Sequence, residues 1–138
     1  MKLRLVAHTP NVEAMVATSM LTTTSGAQPS TLYDRLQRKP DKVNEIVGRV
    51  EVQHGNILEH NRLVWELETL ESAVTEAMLD TRFLTFTRLE NGMWLVSGNL
   101  RAVIEYAQAK KSPLTDALVA SIMEVAPMVH GFAEAGRK

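Results

Sequence analysis

The chain opens on an alternation in which Leu3, Leu5 and Ala7 stand in phase against Lys2, Arg4 and Val6, and this predicts a short strand ending at Thr9-Pro10. The period then changes. Val12, Met15, Val16 and Met20 recur at helical spacing, and the polar stretch Thr22-Thr23-Thr24-Ser25-Gly26-Ala27-Gln28-Pro29 predicts a loop. Ser30 is placed to cap a short helix carrying Leu32, Tyr33 and Leu36, and Pro40 to open another carrying Val43, Ile46, Val47 and Val50.

Beyond His54-Gly55-Asn56 the alternation returns: Leu63, Trp65 and Leu67 against Val64, Glu66 and Glu68 predict a strand over 61–69 with one buried side. A helix over 72–79 turns Val74, Ala77 and Met78 inward. Two further strands, Phe83-Leu84-Thr85-Phe86-Thr87 and Met93-Trp94-Leu95-Val96, flank Asn91-Gly92, the dipeptide of a tight hairpin. The tail predicts a helix over 99–109, a break at Ser112-Pro113 and a long helix bearing Leu114, Ala117, Leu118, Ile122 and Val125, with fraying over 134–138. Strand, helices, strand, helix, hairpin, helices describe an α+β layer protein in which helices cover a small, largely antiparallel sheet. Nothing repeats and no linker interrupts the pattern, so 1–138 is read as a single domain.

Composition narrows the chemistry. With 15 Lys+Arg against 16 Asp+Glu the chain has no basic stripe, so no nucleic-acid partner is expected. The apolar runs stay well short of the roughly 18 residues of a membrane span, and polar residues interrupt the first segment too soon for a signal peptide; a cytoplasmic protein without a membrane partner is expected. The absence of cysteine removes disulfides, thiolate nucleophiles and cysteine-ligated metals. His54 and His60 stand six apart across a glycine, unlike the helical pair of a metalloprotease, so no metal site is predicted. Ser25, Ser72 and Ser97 lack the Gly-x-Ser-x-Gly setting of a nucleophile elbow. Glu66 and Glu68 read as the solvated side of their strand.

The residues suited to a ligand are the arginines. Arg82, Arg88 and Arg101 carry planar guanidinium groups fit for phosphate, with pairing to surface glutamates as the alternative. Arg82 is placed on a strand face with Leu84 and Phe86. Asn99 and Arg101 meet at a predicted helix start, where Asn99 either caps or binds. His60 can donate one hydrogen bond or stack on a flat ring, whereas Trp65 and Trp94 belong to the core.

With these segments in view the sequence resembles the flavin-dependent thymidylate synthase (ThyX) family. The resemblance runs through Leu3-Arg4-Leu5-Val6-Ala7-His8-Thr9-Pro10, His54-Gly55-Asn56-Ile57-Leu58-Glu59-His60, Val74-Thr75-Glu76-Ala77-Met78-Leu79, Val96-Ser97-Gly98-Asn99-Leu100-Arg101 and Ile122-Met123-Glu124-Val125-Ala126-Pro127. It implies a ThyX-like fold and a homotetramer in which FAD and deoxyuridylate lie at subunit boundaries, methylenetetrahydrofolate supplying the carbon and reduced flavin the hydride. By the same resemblance His60, Arg82, Thr85, Asn99 and Arg101 are the cofactor-binding candidates. Arg82 stands at the last position of the family's Arg-His-Arg triplet and Thr85 at that of a serine. Arg88 and Lys110 are the substrate-binding candidates, and no catalytic residue is assigned.

The sequence also departs from the pattern. Asp80 and Thr81 replace the first two members of the triplet, Ala77 replaces a glutamine that helps hold the uracil, and Lys110 replaces an arginine that contacts the nucleotide phosphate. The chain passes from Thr85-Phe86-Thr87-Arg88 almost directly into the hairpin, so the serine-rich activating segment is expected to be missing. Three functions are left open: a divergent ThyX-like protein with a reduced or altered FAD/deoxyuridylate site, a competent FAD-dependent synthase making dTMP from dUMP, and a non-catalytic oligomeric interaction protein retaining the fold.

Overall fold

The computed structural model describes residues 1–49 and 55–137, so the expectations for Val50, His54 and Lys138 lie outside the described residues. In chain order the elements are β1 (Lys2–His8), α1 (Val12–Thr22), α2 (Pro29–Leu36), α3 (Pro40–Val47), α4 (Gly55–Leu58), β2 (Arg62–Glu68), α5 (Glu71–Asp80), β3 (Thr85–Arg88), β4 (Met93–Asn99), α6 (Leu100–Ala109), α7 (Pro113–Val125) and α8 (Pro127–Ala135). The strands form one sheet of order β1-β2-β4-β3 in which every neighbouring pair is antiparallel.

The alternation of β2 decides which side of the sheet is covered. Leu63, Trp65 and Leu67 are fully buried, and across the ladder they face Gly98, Val96 and Trp94 of β4. Leu3 and Leu5 of β1 face Leu67 and Trp65 on one side, and Phe86 of β3 faces Val96 on the other, so one apolar side runs across all four strands. The helices supply its cover, with α6 and α7 burying Leu100, Val103, Ile104, Leu118, Val119 and Ile122. Trp65 reaches through this layer, its Nε1–H donating to Ser121 Oγ of α7 at 2.9 Å, so its polar atom stays satisfied in an apolar setting. Both tryptophans are core residues as expected.

Asn91 and Gly92 form the predicted turn, with φ of 58° and 75°, the left-handed backbone that a tight hairpin requires and glycine tolerates best.

Several local expectations are corrected. Ala7 is exposed, because a bulge between Leu5 and Ala7 shifts the register so that Ala7 faces Val64 on the open side of the sheet. Gln28, not Ser30, precedes α2: Pro29 takes the first helical turn, where its missing N–H costs nothing, and Ser30 lies inside the helix. Val12 and Val16 are buried as expected, but Met15 and Met20 are only half-buried because α1 also buries Ala14, Ala17 and Thr18 and has no single apolar face. Met78 points outward, leaving Val74 and Ala77 as the inward residues of α5. β3 begins at Thr85, so Phe83 and Leu84 belong to a bend and Arg82 precedes the strand instead of sharing a face with Leu84 and Phe86. The long helix of the tail runs Pro113–Val125 as expected, and Pro127, which cannot donate to the preceding turn, then opens a further helix, α8, that the pattern did not predict. Residues 134–135 complete α8, and Arg137 is held by Ala107 O, Thr115 Oγ1 and Asp116 Oδ1 at 3.0, 3.0 and 2.8 Å, so the segment over 134–137 is tied to the core where fraying was expected.

Candidate functional site

The junction of β4 with α6 is the first place where candidate residues meet. Asn99 ends β4 and caps α6: its Oδ1 accepts from the Ala102 N–H at 2.8 Å, which commits that oxygen to the helix. One residue on, Arg101 donates through Nε to Glu105 Oε1 at 2.9 Å and through Nη1 to Glu59 Oε1 at 2.5 Å. Both carboxylates, Glu105 foremost, hold the guanidinium even more firmly in its charged form. Glu59, Phe83, Asn99, Arg101, Ala102 and Glu105 line a recess of about 200 Å³. His60 follows Glu59 and is exposed, and Arg82 precedes Phe83 in the exposed bend. Thr85 opens β3 opposite Ser97, two residues before Asn99. The structure thus brings Asn99 and Arg101 to one recess, with His60 and Arg82 each adjoining a lining residue in sequence.

Arg88 and Lys110 sit elsewhere. Arg88 donates to Glu71 Oε1 at 3.2 Å and lies 5.9 Å from the Trp94 ring centroid, a cation–π distance, beside a cavity of about 370 Å³. Lys110, following α6, lies at a larger cavity of about 600 Å³, to which Ala77 and Tyr106 also contribute. Both cavities touch Thr69, Asn91 and Gly92, so the hairpin turn stands between them.

The Lys110 ammonium is bound by Glu76 Oε1 at 2.5 Å and by Asp80 Oδ2. These two partners, Asp80 first, push its pKa well above the usual lysine value. Burial raises the neighbouring Tyr106 hydroxyl, and Asp80 and Glu76 add to the effect while Lys110 opposes it. Two departures noted in the sequence are therefore one physical unit: the carboxylate at position 80 and the lysine at 110 bind each other.

Sequence reasoning missed Glu59, Glu76 and Tyr106. The Arg101–Glu105 pair is legible as a four-residue helical spacing. Glu59 and Glu76 reach their partners across 42 and 34 residues and left no local signal.

A helical layer over one side of a four-stranded antiparallel sheet is the architecture that defines the class of fold, and it is ThyX-like. Among solved structures, the chain is similar to flavin dependent thymidylate synthase ThyX from Helicobacter pylori, complexed with FAD and dUMP. The TM-score is 0.66 at 13% sequence identity, over 100% of this chain and 100% of that one. No protein-family model and no curated protein matches the sequence.

The recess beside Asn99 does not fit a flavin dinucleotide within one chain. Its single guanidinium is already shared by two carboxylates, which opposes a diphosphate, and 200 Å³ falls below the several hundred Å³ of ordinary cofactor pockets.

Proposed function

We propose that this chain is a divergent protein on the flavin-dependent thymidylate synthase fold, with a reduced and altered FAD/deoxyuridylate site that does not support the synthase reaction. The observation that carries this reading is the Lys110–Asp80 pair. Where the resemblance expects the first arginine of the triplet the chain carries the Asp80 carboxylate, and the lysine that stands for the phosphate-contacting arginine is bound to that carboxylate and to Glu76. A phosphate would have to displace both or bind against their charge. Arg101 is occupied in the same manner, whereas among the described residues Arg82 enters no ion pair and is the cation best placed to meet an anion. A larger ligand site would require further copies of the chain, and the homotetramer implied by the resemblance is proposed on that ground.

The test is FAD titration by absorbance and flavin fluorescence, with and without dUMP, on protein of defined oligomeric state. Weak FAD binding that dUMP does not tighten, together with no dUMP-dependent oxidation of reduced FAD, is the expected result. Production of dTMP from dUMP and methylenetetrahydrofolate would overturn the proposal in favour of a competent synthase.

A second reading, a non-catalytic oligomeric interaction protein, is favoured by the apolar side chains around the 82–84 bend: Leu79 is 84% and Phe83 63% exposed. Single apolar side chains on a surface are ordinary, but two this exposed within five positions suit burial against another chain. A stable assembly with no saturable flavin or nucleotide binding would select this reading.

A further inference from the structure

Among the described residues one side chain departs from the rule that buried polar groups are paired. Asn61 is 0% exposed, and neither its Oδ1 nor its Nδ2 has a hydrogen-bond partner among them. The residue falls in phase with Leu63, Trp65 and Leu67, so it enters the covered side of the sheet where the alternation calls for an apolar side chain. The other buried polar side chains are bonded: Thr18 to Ala14 O, Thr115 to Ser112 O, and Ser121 to Leu118 O and the Trp65 indole. Relative to an apolar isostere, an unpaired buried amide favours any state that returns it to water by about fivefold or more.

The polar ties of the chain at this point are few. Asn61 lies one residue beyond the β2–β4 ladder, whose last pair is Arg62 with Asn99. Its carbonyl accepts the Leu100 N–H at 2.9 Å, and the next amide, Arg62 N–H, donates to the Thr9 hydroxyl at 3.1 Å. Two residues upstream, Glu59 reaches Arg101 through an ion pair whose side chains are 44% and 39% exposed, and a pair so open to water stabilises weakly. Glu59 and His60 are themselves exposed, while Ile57 and Leu58 anchor α4 in the core. Moving 59–61 therefore takes no apolar side chain of its own out of the core.

We propose that Asn61 is a built-in release for the segment 59–61, which swings away from the end of the sheet, returns the amide to water and carries Glu59 off Arg101. The guanidinium is then left with Glu105 alone. The recess at the β4–α6 junction thus alternates between a closed form, in which two carboxylates hold its cation, and an open form in which one does and an anion meets less opposing charge. The release is independent of any flavin or nucleotide; only its effect on anion access rests on the reading of this recess as an altered ligand site.

Amide hydrogen exchange of the full chain, read by two-dimensional NMR, measures the release, and inorganic pyrophosphate, followed through the Arg101 Nε–H signal, measures access. The Leu100 and Arg62 amides are expected to exchange about tenfold or more faster than those inside the β2–β4 ladder. Asn61→Leu, apolar and isosteric, should slow exchange at these two amides about fivefold or more and weaken pyrophosphate by a similar factor, because the open form becomes scarcer. Glu59→Gln, an exposed change that removes the ion pair, should speed exchange at Leu100 about twofold or more. Leu100 and Arg62 amides as protected as the ladder, exchange unchanged or faster in Asn61→Leu, as an amide already satisfied by water would give, or exchange at Leu100 unmoved by Glu59→Gln would each overturn the release. Slowed exchange with no pyrophosphate binding at Arg101, or with binding that Asn61→Leu leaves unaltered, would overturn the anion gate alone. Should Asn61→Leu fail to fold, the exchange pattern of the parent and of Glu59→Gln still decides.

Discussion

Replacing Asn99 by Ala separates the two roles that one asparagine at a helix start can hold. Its Oδ1 accepts the Ala102 N–H at 2.8 Å, and the helix it caps buries Leu100, Ala102, Val103, Ile104, Tyr106 and Ala107 against the core. Because α6 is integral to the core, the cap should count toward global stability. Loss of such a cap costs about 1 kcal/mol, within a range of roughly 0.5–2. For a domain of this size that corresponds to a fall in Tm of about 3 °C. Asn99→Ser and Asn99→Asp keep an oxygen at cap geometry and should recover most of the loss. Asn99→Ala should also leave the urea m-value unchanged, since the surface exposed on unfolding is the same. The assay is urea and thermal unfolding of the four proteins in parallel. A destabilisation below about 0.3 kcal/mol for Asn99→Ala, or a serine variant no better than alanine, would refute the capping account and return Asn99 to the ligand role.

Four further outcomes are expected. Ser121→Ala strips the acceptor from the buried Trp65 indole and should cost about 1–3 kcal/mol in urea unfolding, a loss that Trp65→Phe in the same chain partly removes. Gly98→Ala drives a methyl into Leu84 and should displace the 82–84 bend at a cost of about 1–3 kcal/mol, read as a lower Tm and amide shifts at Arg82 and Phe83. Burial raises the Glu13 carboxyl above its ordinary value, the Met128 N–H only partly offsetting this, so the folded protein holds that proton more tightly than the unfolded chain. The group's contribution is therefore present at low pH and lost as pH rises through the raised pKa, and the stability of Glu13→Gln relative to the parent should climb between about pH 4 and 7; a flat difference would contradict it. Asp80→Arg combined with Thr81→His releases one carboxylate from Lys110 and adds positive charge, and should tighten FAD in a fluorescence titration if electrostatics are the main defect of the site.

Much of the fold was legible because its signals are local. The strict alternation over Leu63, Trp65 and Leu67 leaves one way to lay β2 on a core, and Asn91-Gly92 supplies the two left-handed residues that a tight turn needs. Ser112-Pro113 opened α7 as predicted, with Ser112 and Thr115 forming reciprocal cap bonds. Expectations failed where a neighbouring element set the outcome. The phase of Ala7 depended on a bulge against β2, and the exposure of Met78 on which side of α5 found cover.

The candidate site divides along the same line. Sequence alone determined the residue types on offer: no thiol, few histidines, and arginines and an asparagine at a helix start. It also determined that Arg101 and Glu105 share a helix face. Only the tertiary structure decided which charges meet. It set Glu59 on Arg101 beside Glu105 and joined Asp80 and Glu76 to Lys110, leaving each of these two nominal anion-binding cations held by two carboxylates. The physical reason is range. Hydrogen-bonding periodicity acts over three or four residues and is written in the local pattern, whereas a charge is governed by whatever folding brings within a few ångströms, and that is fixed by the packing of distant segments.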